Sequence, residues 1–420
     1  MKHIKATYLI ETAYPLEKAA LILAGEQSCG TFIPVPGETD ELKKNHCAKI
    51  ESINEIKPID KPSLPGTDFG IGKNKNSALK QAVVSISWPL HNFGINLPNL
   101  MATIAGNLFE LKPFSGIRLL DFEVPDQYKQ KFPPPVFGIK GTRKLTGVVN
   151  RPIIGTIIKP SVGLSPAETA ARVKELATAG LDFIKDDELM GDPPHCPFEQ
   201  RVKKVMAEIN KIADKIGKKC MYAFNISGNM EDMKHRHDLV LKQGGTCIML
   251  SLNWVGISAA HEIVRHSRLP VHGHRNGWGA LSRCPVLGFD FKAYQKLWRL
   301  VGIDHLHCNG LRNKFTENDD QVISAIKACL TPWLNGYEIM PVLSSGQWAG
   351  QAVDTYKAVN STDLIYLCGG GIIAHPDGIA AGVESVRQGW EAAIKGKTLS
   401  DYAKNHQQLK NAMAFFNKKT

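Results

Sequence analysis

The feature that most constrains the fold is a rhythm in the chain after residue 135. Eight short apolar runs, rich in β-branched residues, recur at 152–158, 181–185, 221–225, 247–252, 269–272, 305–307, 340–343 and 364–367, with helical patterns between them. Such runs alternating with helices call for parallel strands joined by crossover helices. Eight units over this length describe an α/β (β/α)8 barrel. One helix is signalled at both ends: Ser165 is an N-cap, Pro166 stands at the first helical position, Glu168 completes a capping box, and Gly180 ends it. A doubly wound open sheet is the competing architecture, but no Gly-x-Gly-x-x-Gly turn follows the first run.

Residues 1–135 have a different texture. Strand-like runs at 4–9 and 83–87 mix with an amphipathic segment at 16–25, and 62–72 is a Pro/Gly-rich loop, which together indicate an α+β domain. Phe132-Pro133-Pro134-Pro135 can be neither helix nor central strand and reads as a boundary. The chain of 420 residues is too long for one core, so the expected domains are 1–135 and 136–420.

Barrel enzymes work at the C-terminal ends of their strands. Here the second strand runs into Lys185, Asp187 and Glu188; alternation puts Lys185 and Asp187 on one side, with Glu188 where the strand gives way to a loop. Carboxylates and an amine converging there suit a hard divalent cation such as Mg²⁺; the alternative is a structural Lys–Asp pair beside a solvated acidic loop. The first strand ends in Lys159-Pro160-Ser161 and the third in Asn225. The fifth ends in His272, His274 and Arg275, and the sixth in His307 with Lys314 shortly after. The seventh and eighth end in Ser344-Ser345-Gly346 and Gly369-Gly370-Gly371. One polar ending alone reads as a satisfied structural group, but polar endings on most strands do not, because buried polar groups cost free energy unless paired. The glycines expose backbone N–H groups where barrels bind phosphate, Arg275 and His307 offer a second anion site, and Lys159 beside a metal can move a proton. Together they suggest metal-assisted enediolate chemistry next to a carbonyl of a phosphorylated polyol or sugar acid.

Composition narrows the alternatives. The net charge of +11 comes from lysines scattered over termini and surface helices, with no basic stripe interleaved with aromatics, so a nucleic-acid partner is rejected in favour of a field that attracts a small anion. Nine cysteines without a Cys-x-x-Cys pair fit reduced intracellular thiols. No run is apolar enough to cross a bilayer and Met1-Lys2-His3-Ile4 does not open a signal peptide, so the expectation is a cytoplasmic protein without a membrane partner.

These motifs, in this order, resemble the large subunit of ribulose bisphosphate carboxylase over nearly the whole chain. Gly180-Leu181-Asp182-Phe183-Ile184-Lys185-Asp186-Asp187-Glu188 is similar to the family's metal motif, which implies that Lys185 is carbamylated by CO₂ and binds Mg²⁺ with Asp187 and Glu188. Gly155-Thr156-Ile157-Ile158-Lys159-Pro160 resembles the segment carrying the proton-transfer lysine. His272-Gly273-His274-Arg275 and Asp304-His305-Leu306-His307 resemble the motifs that hold the substrate's far end, and Ser344, Gly346, Gly370 and Gly371 match the phosphate loops. Gly25 to Thr31 and Gly106-Asn107 resemble segments of a ferredoxin-like N-terminal domain that complete a neighbouring subunit's site. The resemblance therefore implies an antiparallel homodimer, with Thr31 and Asn107 at the partner's active site.

The departures bear on function. Carboxylases of the family carry Lys-Pro-Lys, whereas position 161 is Ser; they carry a tryptophan where this chain has Phe32. Their lid reads Gly-Lys-Leu-Glu-Gly, whereas Lys314 keeps the spacing from His307 in different surroundings, Gly310-Leu311-Arg312-Asn313-Lys314-Phe315-Thr316-Glu317. The chain thus resembles the carboxylase-like proteins that do not fix CO₂. Among their activities, decarboxylation of 3-oxo-isoapionate 4-phosphate is the expectation, because Arg275, His274 and His307 retain a second anion site. Transcarboxylation or hydrolysis of the same acid, and isomerisation or enolisation of methylthio sugar phosphates, are the alternatives.

Overall fold

Eight parallel strands close into a barrel in the computed structural model of the chain, which describes residues 2–30, 35–69 and 78–418. The strands are Ile153–Ile157, Phe183–Lys185, Met221–Asn225, Cys247–Ser251, Val271–His274, His305–Asn309, Met340–Ser344 and Ile365–Leu367. Each pairs with its sequence neighbour and the last pairs with the first. The fifth starts later than the pattern suggests and reaches His274; Pro270, which has no N–H to donate, stays outside it.

Alternation fills the interior with Ile153, Phe183, Met221, Ala223, Cys247, Met249, Met340, Val342, Ile365 and Leu367. Two residues further along three of those rows stand Lys185, Asn225 and Ser344, all buried. The same pleat that packs the core therefore carries polar groups to its top. Helix Pro166–Thr178 has both hydrogen bonds of its capping box, and Gly180 turns the chain at φ +82°.

The chain divides into two compact units, Pro134–Asn276 with Arg299–Thr420, and Met1–Pro133 with Gly277–Trp298. The second of these holds a five-stranded sheet in the order Leu287–Phe289, Phe114–Glu123, His3–Thr12, Leu79–Pro89, Lys49–Ile59. Its pairs are antiparallel except for Leu287–Phe289, which runs parallel to Phe114–Glu123. Gly277–Trp298 belongs to this unit although it lies between the fifth and sixth barrel strands in sequence. Among the described residues no helix is long and apolar enough to cross a membrane.

Candidate active site

Of the three acids after Lys185, Asp186 faces away from the other two. Asp186 points out of the barrel, where it accepts Tyr222 Oη–H at 2.6 Å, Asn225 N–H at 2.9 Å and Arg201 Nη2 at 3.3 Å. Lys185 is buried, with Nζ donating to Asp186 O at 2.8 Å and lying 3.8 Å from Glu188 Oε2. Burial pushes its pKa below that of an ordinary lysine, and the nearby Glu188, Asp187 and Asp186 pull it only partly back. Burial raises Asp187, but the Lys159 hydrogen bond and the charges of Lys185 and Lys159 outweigh it and hold this carboxyl below its usual range. Asn225 Nδ2 donates to Glu188 O at 3.0 Å and fixes the turn that presents both acids.

Lys159, at the end of the first strand, donates from Nζ to Asp187 Oδ2 at 2.8 Å and to Ser161 Oγ at 2.6 Å. Its side chain remains 43% exposed, so this amine opens towards solvent, whereas that of Lys185 is buried.

The fifth and sixth strands bring a row of histidines together. His307 Nε2 lies 2.9 Å from His272 Nε2, its Nδ1 lies 3.3 Å from Ser344 Oγ, and its ring is 4.3 Å from that of His274. His274 Nε2 is 3.5 Å from Glu188 Oε2, and Nδ1 accepts the Asn276 N–H at 3.2 Å. Burial drives all three towards the neutral form: His274 falls to about 3, and His272 and His307 lie well below the usual range. Burial thus favours their neutral, hydrogen-bonding forms near pH 7.

Arg275, expected as an anion ligand, is engaged by a carboxylate of the chain. Its guanidinium grips Glu317 bidentately, at 3.1 Å and 2.6 Å. Glu317 lies in the loop after the sixth strand, too far along the chain for spacing to reveal the pair. Lys314, in the same loop, is exposed; its backbone N–H donates to Ser345 O at 3.3 Å and its Nζ lies 5.3 Å from the Phe315 ring centre.

Ser345 and Gly346 both adopt left-handed backbone (φ +74° and +93°), and space for a side chain is open at Gly346 and Gly370. Gly371 is different: a Cβ there would meet Gln347 O at 2.3 Å, so only glycine lets these two turns approach. Gly370 and Gly371 open the short helix Gly370–Ile373, whose first N–H groups have no partner within the helix.

In the other unit, Asn107 begins the turn Asn107–Glu110. Gln27, oriented to donate to Ala102 O, accepts the Asn107 N–H at 3.2 Å, so the two N-terminal segments meet. Thr31 and Phe32 lie outside the described residues.

The Lys185, Asp187 and Glu188 donors fit a hard cation. Each carboxylate already lies beside a lysine ammonium, so the pair gathers positive charge, and an uncharged Lys185 amine can add CO₂ to become a third anionic oxygen donor. A second group, His237, Asp238 and His266, has ligand atoms within 4.8 Å of one another. There, however, the Arg268 N–H donates to His237 Nε2 at 3.2 Å, which leaves the proton on Nδ1, facing Asp238 at 2.9 Å. That group is a hydrogen-bonded cluster and not a set of free ligands.

A parallel barrel with a lysine–acid cluster on its second strand and glycine turns on its last two defines a RuBisCO-type enzyme. Residues 138–416 match the ribulose bisphosphate carboxylase large chain, catalytic domain, and residues 1–128 match its N-terminal domain. The chain belongs to the ribulose bisphosphate carboxylase large-chain family. It is 50% identical to a 3-oxo-isoapionate-4-phosphate transcarboxylase/hydrolase of Xanthobacter autotrophicus, covering 99% of both chains. It is 44% identical to a 3-oxo-isoapionate-4-phosphate decarboxylase of Rhizobium rhizogenes, over 98% of both. The crystal structure of a rubisco-like protein from Burkholderia fungorum superposes with a TM-score of 0.93 at 44% identity, over 99% of this chain and all of that one.

Proposed function

We propose that this chain is a Mg²⁺-dependent carboxy-lyase acting on 3-oxo-isoapionate 4-phosphate, cleaving the bond to its carboxylate carbon. The observation that carries the reading is the 50% and 44% identity, over almost full length, to proteins named for that substrate. A second anion at Arg275 and His307 no longer argues for it, since the guanidinium is paired with Glu317 and the imidazole is neutral.

In this reading Lys185, Asp187 and Glu188 hold the Mg²⁺, which supplies Lewis-acid stabilisation of negative charge on neighbouring substrate oxygens. The turns at Ser344, Gly346, Gly370 and Gly371 bind the phosphate through backbone N–H groups. Lys159 Nζ, held between Ser161 and Asp187, donates a proton to the carbon that loses its carboxylate. The neutral rings of His274 and His307, held against Glu188 and Ser344, line the side of the site that takes the substrate's hydroxyl groups. The N-terminal unit, through Thr31 and Asn107, completes the site of a second copy in a homodimer.

Transcarboxylation or hydrolysis of the same acid is the second reading, favoured by the higher of the two identities. Incubating the purified protein with Mg²⁺ and the substrate separates them: decarboxylation releases CO₂ and a ketose phosphate, the alternative yields two acids. Recovery of unchanged substrate refutes both.

A further inference from the structure

The loop after the sixth strand ends in a carboxylate that the functional reading leaves without a task. Glu317 Oε1 and Oε2 take both Nη groups of Arg275, and Oε2 also accepts Asn309 Nδ2 at 2.5 Å. Asn309 Oδ1 in turn accepts the Ser345 hydroxyl at 2.8 Å, one residue before Gly346. One chain of hydrogen bonds thus runs from the fifth strand's end to the turn after the seventh. The backbone around Glu317 is anchored as well. Asn318 caps helix Asp319–Leu330 with a complete capping box, and Asn313 Nδ2 donates to Glu317 O at 3.0 Å. This carboxylate is therefore not at the tip of a freely swinging loop.

The pair is well shielded, the Arg275 side chain being 7% exposed and that of Glu317 18%. Shielding matters because water no longer dilutes the repulsion between Glu317 and an arriving anion. A phosphate dianion approaching Arg275 meets a carboxylate already seated in the fork that would bind it, and a pair whose net charge is zero. A hydroxyl meets no such repulsion and gains an acceptor.

We propose that Glu317 is a specificity-determining residue that cancels Arg275 as an anion ligand, so that this rim accepts a sugar acid with one phosphate and gives a second phosphate no added affinity. The proposal rests on the reading above in placing the single phosphate at the glycine turns. It assigns the Arg275 end of the site to an uncharged, hydroxyl-bearing end of the ligand.

Calorimetric titration of the full-length protein in Mg²⁺ buffer tests it with two ligands, a five-carbon polyol 1,5-bisphosphate and its monophosphate. Wild type is expected to bind both with affinities within about threefold, because the second phosphate gains nothing. In Glu317→Gln the bisphosphate should tighten by roughly tenfold or more while the monophosphate changes little, and adding Arg275→Gln should abolish that gain. Should the single variant fail to fold, the double variant, which leaves neither charge unpaired, is expected to keep the wild-type ratio. Wild type already preferring the bisphosphate by tenfold, equal changes for both ligands in Glu317→Gln, or a selective loss of bisphosphate binding in the double variant would each overturn the proposal. The readout is a ratio of affinities and not turnover, so failure of the substrate named above and failure of this proposal are separate results.

Discussion

Asp186 and Asp187 are adjacent, chemically identical and both buried, yet their surroundings demand opposite outcomes on losing their charge. Asp186 is the anion beside Arg201, whose side chain is fully buried and whose remaining acceptors are the carbonyls of Cys196, Met190 and Gly191. Asp186→Asn leaves that guanidinium without a counter-ion, and breaking a buried pair this way costs about 3–5 kcal/mol. The lower end applies, because the amide oxygen can still accept from Asn225 and Arg201 while the Tyr222 hydroxyl reverses to accept from the amide N–H. About 3 kcal/mol is a large share of the roughly 5–15 kcal/mol that holds a typical domain, and it lowers the melting temperature by roughly 6–12 °C. Asp187→Asn differs: its partner Lys159 is 43% exposed and can turn to water, and Lys185, already shifted towards the neutral amine, can lose its proton. That variant should melt within about 2 °C of wild type, because the half-exposed Lys159 ammonium finds water and Lys185 sheds its charge, while losing turnover if Asp187 is the metal ligand proposed above. Thermal unfolding followed by circular dichroism decides the matter. If Asp187→Asn melts well below Asp186→Asn, the division of the motif into a structural and a catalytic acid is wrong.

Three further outcomes are expected. Lys159→Ala should lower turnover by roughly 10²–10⁴-fold, the span of one proton-transfer group, with an unchanged circular dichroism spectrum; an unfolded variant would mean that Lys159 is structural. Addition of CO₂ to Lys185 requires the uncharged amine, so a ¹³C carbamate signal should rise with pH around a midpoint below the 10.5 of an ordinary lysine, because burial lowers this one; a midpoint at or above that value would contradict the burial argument. Asp182 is raised by burial but held down more strongly by Arg151, which pairs bidentately with it, and by Lys218. Its folded pKa thus lies below the unfolded one, so its stabilisation is present above about pH 4 and lost on acidification below it; Asp182→Asn should flatten melting temperature against pH between about 4 and 2.

What could be read from the sequence follows from how local each cause is. The barrel strands are legible because their inward rows must be apolar, and the helix after Ser165 because its capping box lies within four residues. The edge strand Lys49–Ile59 is not legible: it carries charges along an exposed face, so no apolar alternation marks it. Leu287–Phe289 is three residues long and joins the sheet of the N-terminal unit from far along the chain, which leaves no local signature. At the site, Lys185, Asp187, Glu188 and Lys159 could be placed from strand ends alone. The role of Asp186 could not, because it depends on Arg201 and Tyr222 on other elements. Nor could the pairing of Arg275, because a strand-end arginine looks cationic until Glu317, on the loop after the next strand, is brought against it.

Ser161 shows how one substitution reshapes what the remaining lysine can do. A lysine at this position would set a second ammonium beside Lys159, and the two cations would compete for Asp187 while repelling each other. The hydroxyl instead accepts from Lys159 at 2.6 Å, so a single ammonium is shared between a neutral oxygen and one carboxylate, with its outer face still open. The rim then holds two lysines, one of them shifted towards neutral, against Asp187 and Glu188, and the Arg275–Glu317 pair adds no net charge. In the proposed function this site binds one phosphate at its glycine turns and delivers one proton. The loss of the second lysine and the gain of Glu317 therefore act in the same direction, since each removes net positive charge from a different end of the same rim.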